Sequence, residues 1–261
     1  MTLPAARLQG HRVLVVGGGT RPTSDPEAPW GNGRAIAVRA AQEGASVAVS
    51  DRDGGSAETT AGLVRAAGGD AHVVVADIAT AEGCDRTVGE AVNALGGLDA
   101  LVLNAGIGAG RGLGETSADE WDLVFAVNLR AQFLLLKAAL PLMSNGGAAV
   151  LVSSIAGLQP GSNIPAYDAS KAGQIGLARH AAREGARRGI RVNTVAPGLI
   201  DTPLGRVATA GRPSRASTRI PLGRQGTAHE VAAAVVWLLS DDAGYVTGQV
   251  LAVDGGLSTL A

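Results

Sequence analysis

Apolar and polar residues follow two different patterns along the chain. Short runs of apolar residues, rich in Val, Leu and Ile, are typical of strands buried in a parallel sheet. The longer segments between them carry apolar residues at helical spacing. Because strands and helices alternate, right-handed crossovers are expected. The pattern predicts an α/β fold with a doubly wound parallel sheet of about seven strands and helices on both faces.

The predicted elements cover most of the chain. Strands are predicted at 12–16, 46–50, 71–75, 98–103, 148–153, 190–195 and 249–253. Helices are predicted at 33–42, 56–67, 81–95, 118–128, 129–143, 166–188 and 229–239. No linker divides the chain, so residues 1–261 are predicted to form one Rossmann-like domain. The aperiodic segment at about 197–227 is the predicted substrate loop.

Composition excludes several classes of protein. Hydrophobic residues make up 46% and charged residues 17%, which argues against disorder. The net charge of −1 gives no basic surface for nucleic acid or a membrane. The single cysteine, Cys84, rules out an intrachain disulfide and a cysteine-based metal site. No signal peptide and no membrane-spanning stretch are expected, so a cytoplasmic protein without metal is predicted.

Two groups of glycines surround the start of the first predicted helix. Gly17 follows the first strand, and Gly31 and Gly33 open the helix. Glycines here allow a tight turn and a close approach to a pyrophosphate, which the helix N-terminus favours electrostatically. An ordinary turn is the alternative, but the strand–helix–strand context favours a dinucleotide site.

Acidic residues follow the second and third strands. Asp51 lies 18 residues after Gly33, where a carboxylate can bind both ribose hydroxyls and repel a 2′-phosphate. This predicts NAD as cofactor. The neighbouring Arg52 could hold a phosphate, which leaves NADP open, and Asp51 could simply begin a polar turn. Asp77 could cap a helix or approach the adenine.

Tyr167 and Lys171 lie four residues apart on a predicted helix and therefore share a face. A nearby ammonium lowers the pKa of a tyrosine hydroxyl, which can then exchange a proton with a carbonyl or alcohol. The lysine could also reach the cofactor ribose. A solvated surface pair is the alternative, although the chain has only two lysines, Lys137 and Lys171.

Three further polar positions are candidates for the site. Ser154 stands 13 residues before Tyr167, just past a strand, where its hydroxyl could bind the substrate oxygen; Ser153 competes for this role, and a simple strand-end turn is the alternative for either. Asn104 follows the fourth strand at the expected cofactor edge. Asn128 lies in an apolar helix, where a buried amide needs partners and could kink the helix or hold a water.

Taken in order, these motifs resemble those of the short-chain dehydrogenase/reductase family, in its compact form, over nearly the whole chain. The shared motifs are the glycine turn, Asp77, LNAG at 103–106, VNL at 127–129, SSIAG at 153–157, YDASK at 167–171, APG at 196–198 and VTGQVLAVDGG at 246–256. The resemblance implies a catalytic tetrad of Asn128, Ser154, Tyr167 and Lys171. In the family, the asparagine and lysine hold a water that relays protons to the tyrosine.

The resemblance also implies a cofactor site and an assembly. The implied cofactor residues are Gly17, Gly31, Gly33, Asp51, Asp77, Asn104, Ala105, Gly106, Tyr167, Lys171, Pro197, Gly198, Ile200 and Thr202, the last four near the nicotinamide. The implied activity is NAD-dependent interconversion of a secondary alcohol and a ketone. A homotetramer is implied, with interfaces on the long helices after Ala118 and Ala166. A non-catalytic NAD(H)-binding regulator or scaffold is the alternative function.

Two segments lie outside the shared motifs. Residues 21–30 are an insertion in the glycine turn, stiffened by three prolines. We hypothesise that it arches away from the pyrophosphate to cover the cofactor or a neighbouring subunit, with a tolerated surface insertion as the alternative. The predicted lid, 199–225, holds five arginines and one acid, Asp201. This favours an anionic substrate such as a 3-oxoacyl thioester, or else a solvated basic loop.

Overall fold

The strands form one large parallel sheet and one short pair. The computed structural model describes residues 6–21, 25, 27–209 and 219–260. Its strands are β1 (Arg12–Val16), β2 (Ser46–Asp51), β3 (Ala71–Val75), β4 (Leu98–Leu103), β5 (Met143–Val152), β6 (Arg191–Pro197), β7 (Ile200–Asp201), β8 (Gly226–Thr227) and β9 (Val250–Val253). Seven strands make a parallel sheet in the order β3-β2-β1-β4-β5-β6-β9, and β7 pairs with β8. The prediction of a doubly wound sheet is confirmed.

Helices flank both faces of the sheet. They are α1 (Asn32–Gln42), α2 (Gly54–Ala66), α3 (Ala81–Leu95), α4 (Gly112–Glu115), α5 (Ala118–Phe125), a π-helical segment (Ala126–Arg130), α6 (Ala131–Ala139), α7 (Pro165–Gly185), α8 (Pro203–Thr209) and α9 (Ala228–Leu239). The order of the strands reverses between β1 and β4, which places a crevice at the carboxyl ends of these two strands.

Side chains on the two faces of the sheet pack into two separate hydrophobic cores. In β1, Val13 and Val15 pack into the layer that contains α1 and α9, whereas Leu14 and Val16 pack into the layer that contains α3 and α6. All four side chains are at most 1% exposed. This follows from the period of two in a strand, and it explains why the strand sequences are apolar throughout rather than alternating.

Cys84 on α3 is buried in the second of these cores. Its Sγ donates to the Ile78 carbonyl at 3.3 Å and lies 3.8 Å from the carbonyl of Ala131 on α6. Burial raises the pKa of the thiol to about 11. In the described structure the thiol therefore packs within the core.

The helical region before β5 differs from its prediction. Two helices, 118–128 and 129–143, are expected, but helical structure runs from Ala118 to Leu142 with the π-helical segment in its middle. Met143 begins β5 instead of ending a helix, and the register of β5 against β4 shifts between Leu98 and Ala100. The expected start at 148 is late because residues 144–147 are polar or glycine and do not extend the apolar run.

The helical stretch Ala118–Leu142 is long and apolar enough to cross a membrane by length and composition alone, and an 18-residue window of it has a mean hydropathy of 1.6. No such stretch is expected from the sequence, so that expectation is wrong by this criterion. Core helices of proteins pass the same test, and this one packs its inner face against α3 and α7. Its outer face leaves Trp121, Leu123 and Phe133 38–50% exposed. Exposed apolar side chains of this kind are common where proteins contact partners.

Candidate active site and cofactor cleft

A cleft with a volume of about 590 Å³ opens at the crevice between β1 and β4. Its size falls within the range of roughly 300–1,000 Å³ that is usual for small-molecule sites. Eleven of the predicted site residues line it, namely Gly17, Gly31, Gly33, Asp51, Asp77, Asn104, Ala105, Gly106, Tyr167, Lys171 and Thr202. The predicted residues Asn128, Ser154, Pro197, Gly198 and Ile200 are not among the lining residues of the described structure.

The glycine turn brings the backbone of β1 against the start of α1. Gly17 has φ +74, and a Cβ there would lie 2.6 Å from the Cα of Ala105. A Cβ on Gly33 would lie 1.9 Å from the Gly17 carbonyl oxygen. The first turn of α1 contains no acidic residue, and its N-cap, Gly31, offers no side chain to the free N–H groups. These groups can therefore receive an anion such as a pyrophosphate, so the turn fits a dinucleotide.

Asp51 ties the rim of the cleft to the glycine turn. Its Oδ2 accepts from the Gly19 N–H at 3.0 Å, and its Oδ1 accepts from the Asp53 N–H at 3.1 Å. Beside it, the Ser56 hydroxyl accepts from the Thr20 N–H and donates to the Thr20 carbonyl, both at 2.7 Å. Sequence reasoning missed Thr20 and Ser56, because nothing local to either residue indicates this contact between a turn and a helix.

Asn104 and Asp77 occupy the neighbouring strand ends. The Asn104 side-chain amide donates to the Gly17 carbonyl at 2.7 Å, so it fixes the glycine turn. The Asp77 carboxylate accepts from the Ala79 N–H at 2.9 Å. Thr80 caps α3, so the alternative that Asp77 caps this helix is wrong, and Asp77 remains a residue of the cleft.

Tyr167 and Lys171 lie side by side at the inner end of the cleft. The Lys171 ammonium is 5.6 Å from the centroid of the Tyr167 ring. Its Nζ donates to the Val152 carbonyl at 3.0 Å and to Gln174 Oε1 at 3.4 Å, and the side chain is 3% exposed. Burial lowers the pKa of Lys171 to about 7. Lys171 is buried and Tyr167 is half-buried in the cleft, so the alternative of a solvated surface pair is wrong.

The lowered pKa of Lys171 predicts how the stability of the cofactor-free protein depends on pH. Its ordinary value is 10.5 and its folded value is about 7, so between these limits the unfolded chain binds more protons. The free energy of unfolding contributed by Lys171 should therefore rise as the pH increases through this window. Urea unfolding of the wild type and of Lys171→Met at fixed protein concentration measures this contribution as the difference between their free energies of unfolding. If that difference stays constant from pH 6.5 to 10, the prediction is contradicted.

The two serines after β5 have different roles. The Ser153 hydroxyl is buried and donates to the Lys171 carbonyl at 2.8 Å. Ser154 is only partly buried, and its hydroxyl oxygen accepts from the Ala156 N–H at 3.1 Å. That bond uses an acceptor site of Ser154 and leaves its O–H to donate elsewhere. Ser153 lines the cleft and Ser154 does not, but the Ser153 hydroxyl already donates to Lys171, so Ser154 stays the candidate donor to a substrate oxygen.

Asn128 sits in the π-helical segment with its side chain fully buried. Its amide pairs in both directions with the backbone of Ile107, accepting from the N–H at 2.8 Å and donating to the carbonyl at 2.9 Å. It also donates to the Ser170 hydroxyl at 3.1 Å. The expected local distortion of the helix is present as the π turn, and Asn128 holds the loop that follows β4.

The predicted lid contains more structure than expected. Thr202 is buried and caps α8, since its hydroxyl accepts from the Gly205 N–H at 3.0 Å. Arg206 pairs with both carboxylate oxygens of Asp201, at 2.7 and 3.1 Å. Arg224 pairs with Glu230 at 2.6 Å. The lid residues Arg212 and Arg215 lie outside the described residues.

Comparison with known proteins identifies the family of this chain. A family profile described as enoyl-(acyl carrier protein) reductase matches residues 28–258. The chain is 36% identical to 2,5-dichloro-2,5-cyclohexadiene-1,4-diol dehydrogenase of Sphingobium indicum, covering 97% of this chain and 98% of the relative. It is 38% identical to 3-oxoacyl-[acyl-carrier-protein] reductase of Thermotoga maritima, covering 96% and 99%. The chain belongs to the short-chain dehydrogenase/reductase family.

Solved members of the short-chain dehydrogenase/reductase family share the fold closely. A short-chain dehydrogenase from Burkholderia cenocepacia in complex with NADP superposes with a TM-score of 0.86 at 34% identity, covering 97% of this chain and all of the other. As a member of the family, the chain is an oxidoreductase that acts on CH–OH groups and uses a nicotinamide cofactor. The comparisons give no support to the alternative of a non-catalytic binding protein.

Proposed function

We propose that this short-chain dehydrogenase/reductase interconverts a secondary alcohol and a ketone with NAD(H), using Tyr167 as the proton-transfer residue. The observation that carries the proposal is the buried Lys171 ammonium beside the Tyr167 ring in the cleft that the glycine turn opens. A screen of ketones and secondary alcohols at the nicotinamide absorbance band tests it. Absence of turnover with every compound in either direction would count against it.

Each proposed residue has a distinct task in the reaction. The nicotinamide, when bound, supplies or accepts the hydride. Tyr167 donates a proton to the carbonyl oxygen or takes one from the alcohol. Lys171 stabilises the phenolate by its charge, and Ser154 donates a hydrogen bond to the substrate oxygen. Asn128 keeps the loop after β4 in place through Ile107.

The choice of NAD over NADP rests on the rim of the cleft. Asp51 lines the cleft, where its negative charge would repel a 2′-phosphate. Arg52 is exposed and also lines the cleft, and the relative from B. cenocepacia was solved with NADP. We propose that the carboxylate dominates, because the glycine turn and Asp53 hold it rigidly.

A neutral substrate fits the described lid better than an anionic one. Of the three lid arginines that the structure describes, Arg206 and Arg224 already pair with acidic residues and Arg219 is exposed, which favours the interpretation of a solvated basic loop. The named relatives include a dehydrogenase of a cyclic diol and a reductase of a carrier-bound 3-oxoacyl group. We propose a neutral ketone or alcohol as substrate, with 3-oxoacyl compounds as the alternative in the same screen.

We further propose a cytoplasmic homotetramer. The apolar outer face of Ala118–Leu142 is exposed in the single chain and needs a covering partner, and the family resemblance assigns that role to a second copy. Light scattering coupled to size exclusion gives the mass directly. A monomer at micromolar concentration would contradict the assembly without affecting the proposed chemistry.

One described residue of the insertion, Asp25, contacts the lid, which supports a role in covering the site. Asp25 lies 3.5 Å from the Arg206 guanidinium of α8. Trp30, at the end of the insertion, packs instead on α9, with its ring centroid 5.0 Å from that of His229. We expect Asp25→Asn to raise the KM for substrate by about two- to fivefold at low salt, because an exposed ion pair contributes little and is screened. Steady-state kinetics at two ionic strengths measure the effect.

A matched control for Asp25→Asn is Asp242→Asn, which removes an exposed ion pair with Arg7. If the KM changes equally in both variants, the insertion is only a tolerated surface segment. The same conclusion follows if Asp25→Asn leaves the KM unchanged at low salt.

A further inference from the structure

Gln174 is a buried amide that neither the sequence motifs nor the proposed mechanism uses. It lies on α7, three residues after Lys171, and its side chain is 0% exposed. Its Nε2 donates to the Asn128 carbonyl at 2.5 Å, and its Oε1 accepts from Lys171 Nζ at 3.4 Å. The side chain therefore joins the backbone of the π-helical segment to the lysine that faces Tyr167.

A buried glutamine at this position of α7 needs an explanation, because an apolar residue would be expected there. Its buried neighbours on α7 include Ile175 and Ala178, so an apolar side chain would satisfy the packing. Burying an amide is unfavourable unless both of its ends are hydrogen-bonded. Here both ends are bonded, one to a fixed backbone carbonyl and the other to an ammonium that has few acceptors.

We propose that Gln174 is a positioning residue for Lys171: its amide transmits the fixed position of the Asn128 carbonyl to the lysine ammonium and holds that ammonium beside Tyr167. In this chain a side chain of the protein itself therefore links the Asn128 carbonyl to the Lys171 ammonium. The inference rests on the proposed roles of Tyr167 and Lys171.

The surroundings of Lys171 make the contribution of Gln174 measurable. The groups recorded in contact with its ammonium are the Val152 carbonyl, the Gln174 amide and the Tyr167 ring, and Tyr167 is the only titratable one of these. The nearest glycine, Gly106, leaves room for the ammonium, since a Cβ there would lie 3.2 Å from Nζ. Asp77 lines the same cleft. Loss of one acceptor should favour the neutral amine, and a carboxylate in its place should favour the ammonium.

The composition of the chain provides a direct readout. There are two lysines, so ¹³Cε-lysine labelling gives two signals, and Lys137, which is exposed, serves as an internal reference. Lys137→Arg assigns them. In the cofactor-free protein we expect the pKa of Lys171 to fall in Gln174→Leu and to rise in Gln174→Glu. We expect it to stay unchanged in Ile175→Leu, a volume-conserving control on the same helix.

Turnover provides the second readout. Loss of a hydrogen bond to a charged group should lower kcat of Gln174→Leu by about tenfold, with little change in the KM for cofactor. An unchanged pKa of Lys171 in Gln174→Leu, or shifts in the same direction in the Leu and Glu variants, would overturn the proposal. If Gln174→Glu does not fold, Gln174→Met takes its place as a second neutral variant and should reproduce the fall. Because the titration needs no activity, it decides the role of Gln174 even if Tyr167 is not the proton-transfer residue.

Discussion

Replacing Tyr167 by phenylalanine is expected to lower kcat by roughly 10²-fold or more. The substitution removes the hydroxyl that exchanges the proton but keeps the ring that packs beside Lys171. Binding of NADH should therefore stay nearly intact. Turnover is followed at the nicotinamide absorbance band, and cofactor affinity is followed by fluorescence titration of the same preparations.

The chain offers its own control for this experiment. The other tyrosine, Tyr245, is fully exposed and lies outside the cleft. Tyr245→Phe should turn over at the wild-type rate. Retained turnover in Tyr167→Phe would refute the proton-transfer assignment, whereas loss of NADH binding together with turnover would point to a structural defect.

The second large effect is expected on the choice of cofactor. Asp51→Asn and Asp51→Ala should each lower the ratio of kcat/KM for NAD to kcat/KM for NADP by about 10- to 100-fold, the range expected for a hydrogen bond to a charged group. Both variants remove the negative charge that opposes a 2′-phosphate. The asparagine variant retains an oxygen that can accept from the Gly19 N–H, so it separates the effect of charge from damage to the turn.

Asp70→Asn provides the comparison for Asp51, since its carboxylate is 65% exposed and does not line the cleft. The cofactor ratio of this variant should match that of the wild type. If the ratio of Asp51→Asn also equals that of the wild type, the argument for NAD from Asp51 fails, and Arg52 becomes the residue to test.

Three strands and one helix are predicted with the correct bounds because those bounds depend on residues close together in the sequence. β1, β3 and β4 and helix α3 have the predicted bounds, since each apolar or amphipathic run is interrupted by glycine or polar residues. The prediction of two helices that meet after Asn128 is wrong, because the helical region continues through a π turn. The kink expected from the buried amide is present as that turn, and the backbone of Ile107, which is distant in sequence, satisfies the amide.

The residues of the candidate site that were predicted follow from local patterns, and those that were missed do not. Tyr167 and Lys171 follow from helical spacing, and the glycines follow from the strand–turn–helix pattern. Gln174 was missed because its partner Asn128 lies 46 residues away, although a glutamine on an apolar helix face next to Lys171 was a usable signal. Helix α8 was missed because a seven-residue helix that begins at Pro203 shows too few turns for a periodic pattern.

The solitary sulfhydryl in the interior gives the molecule a built-in reporter of unfolding. Cys84 lies between α3 and α6, and its raised pKa suppresses the nucleophilic thiolate. An alkylating reagent can reach it only when these layers separate. The rate of labelling, with and without dinucleotide, therefore measures how strongly the ligand suppresses opening of the core. A cysteine introduced on the surface, in turn, would be labelled selectively in the native enzyme.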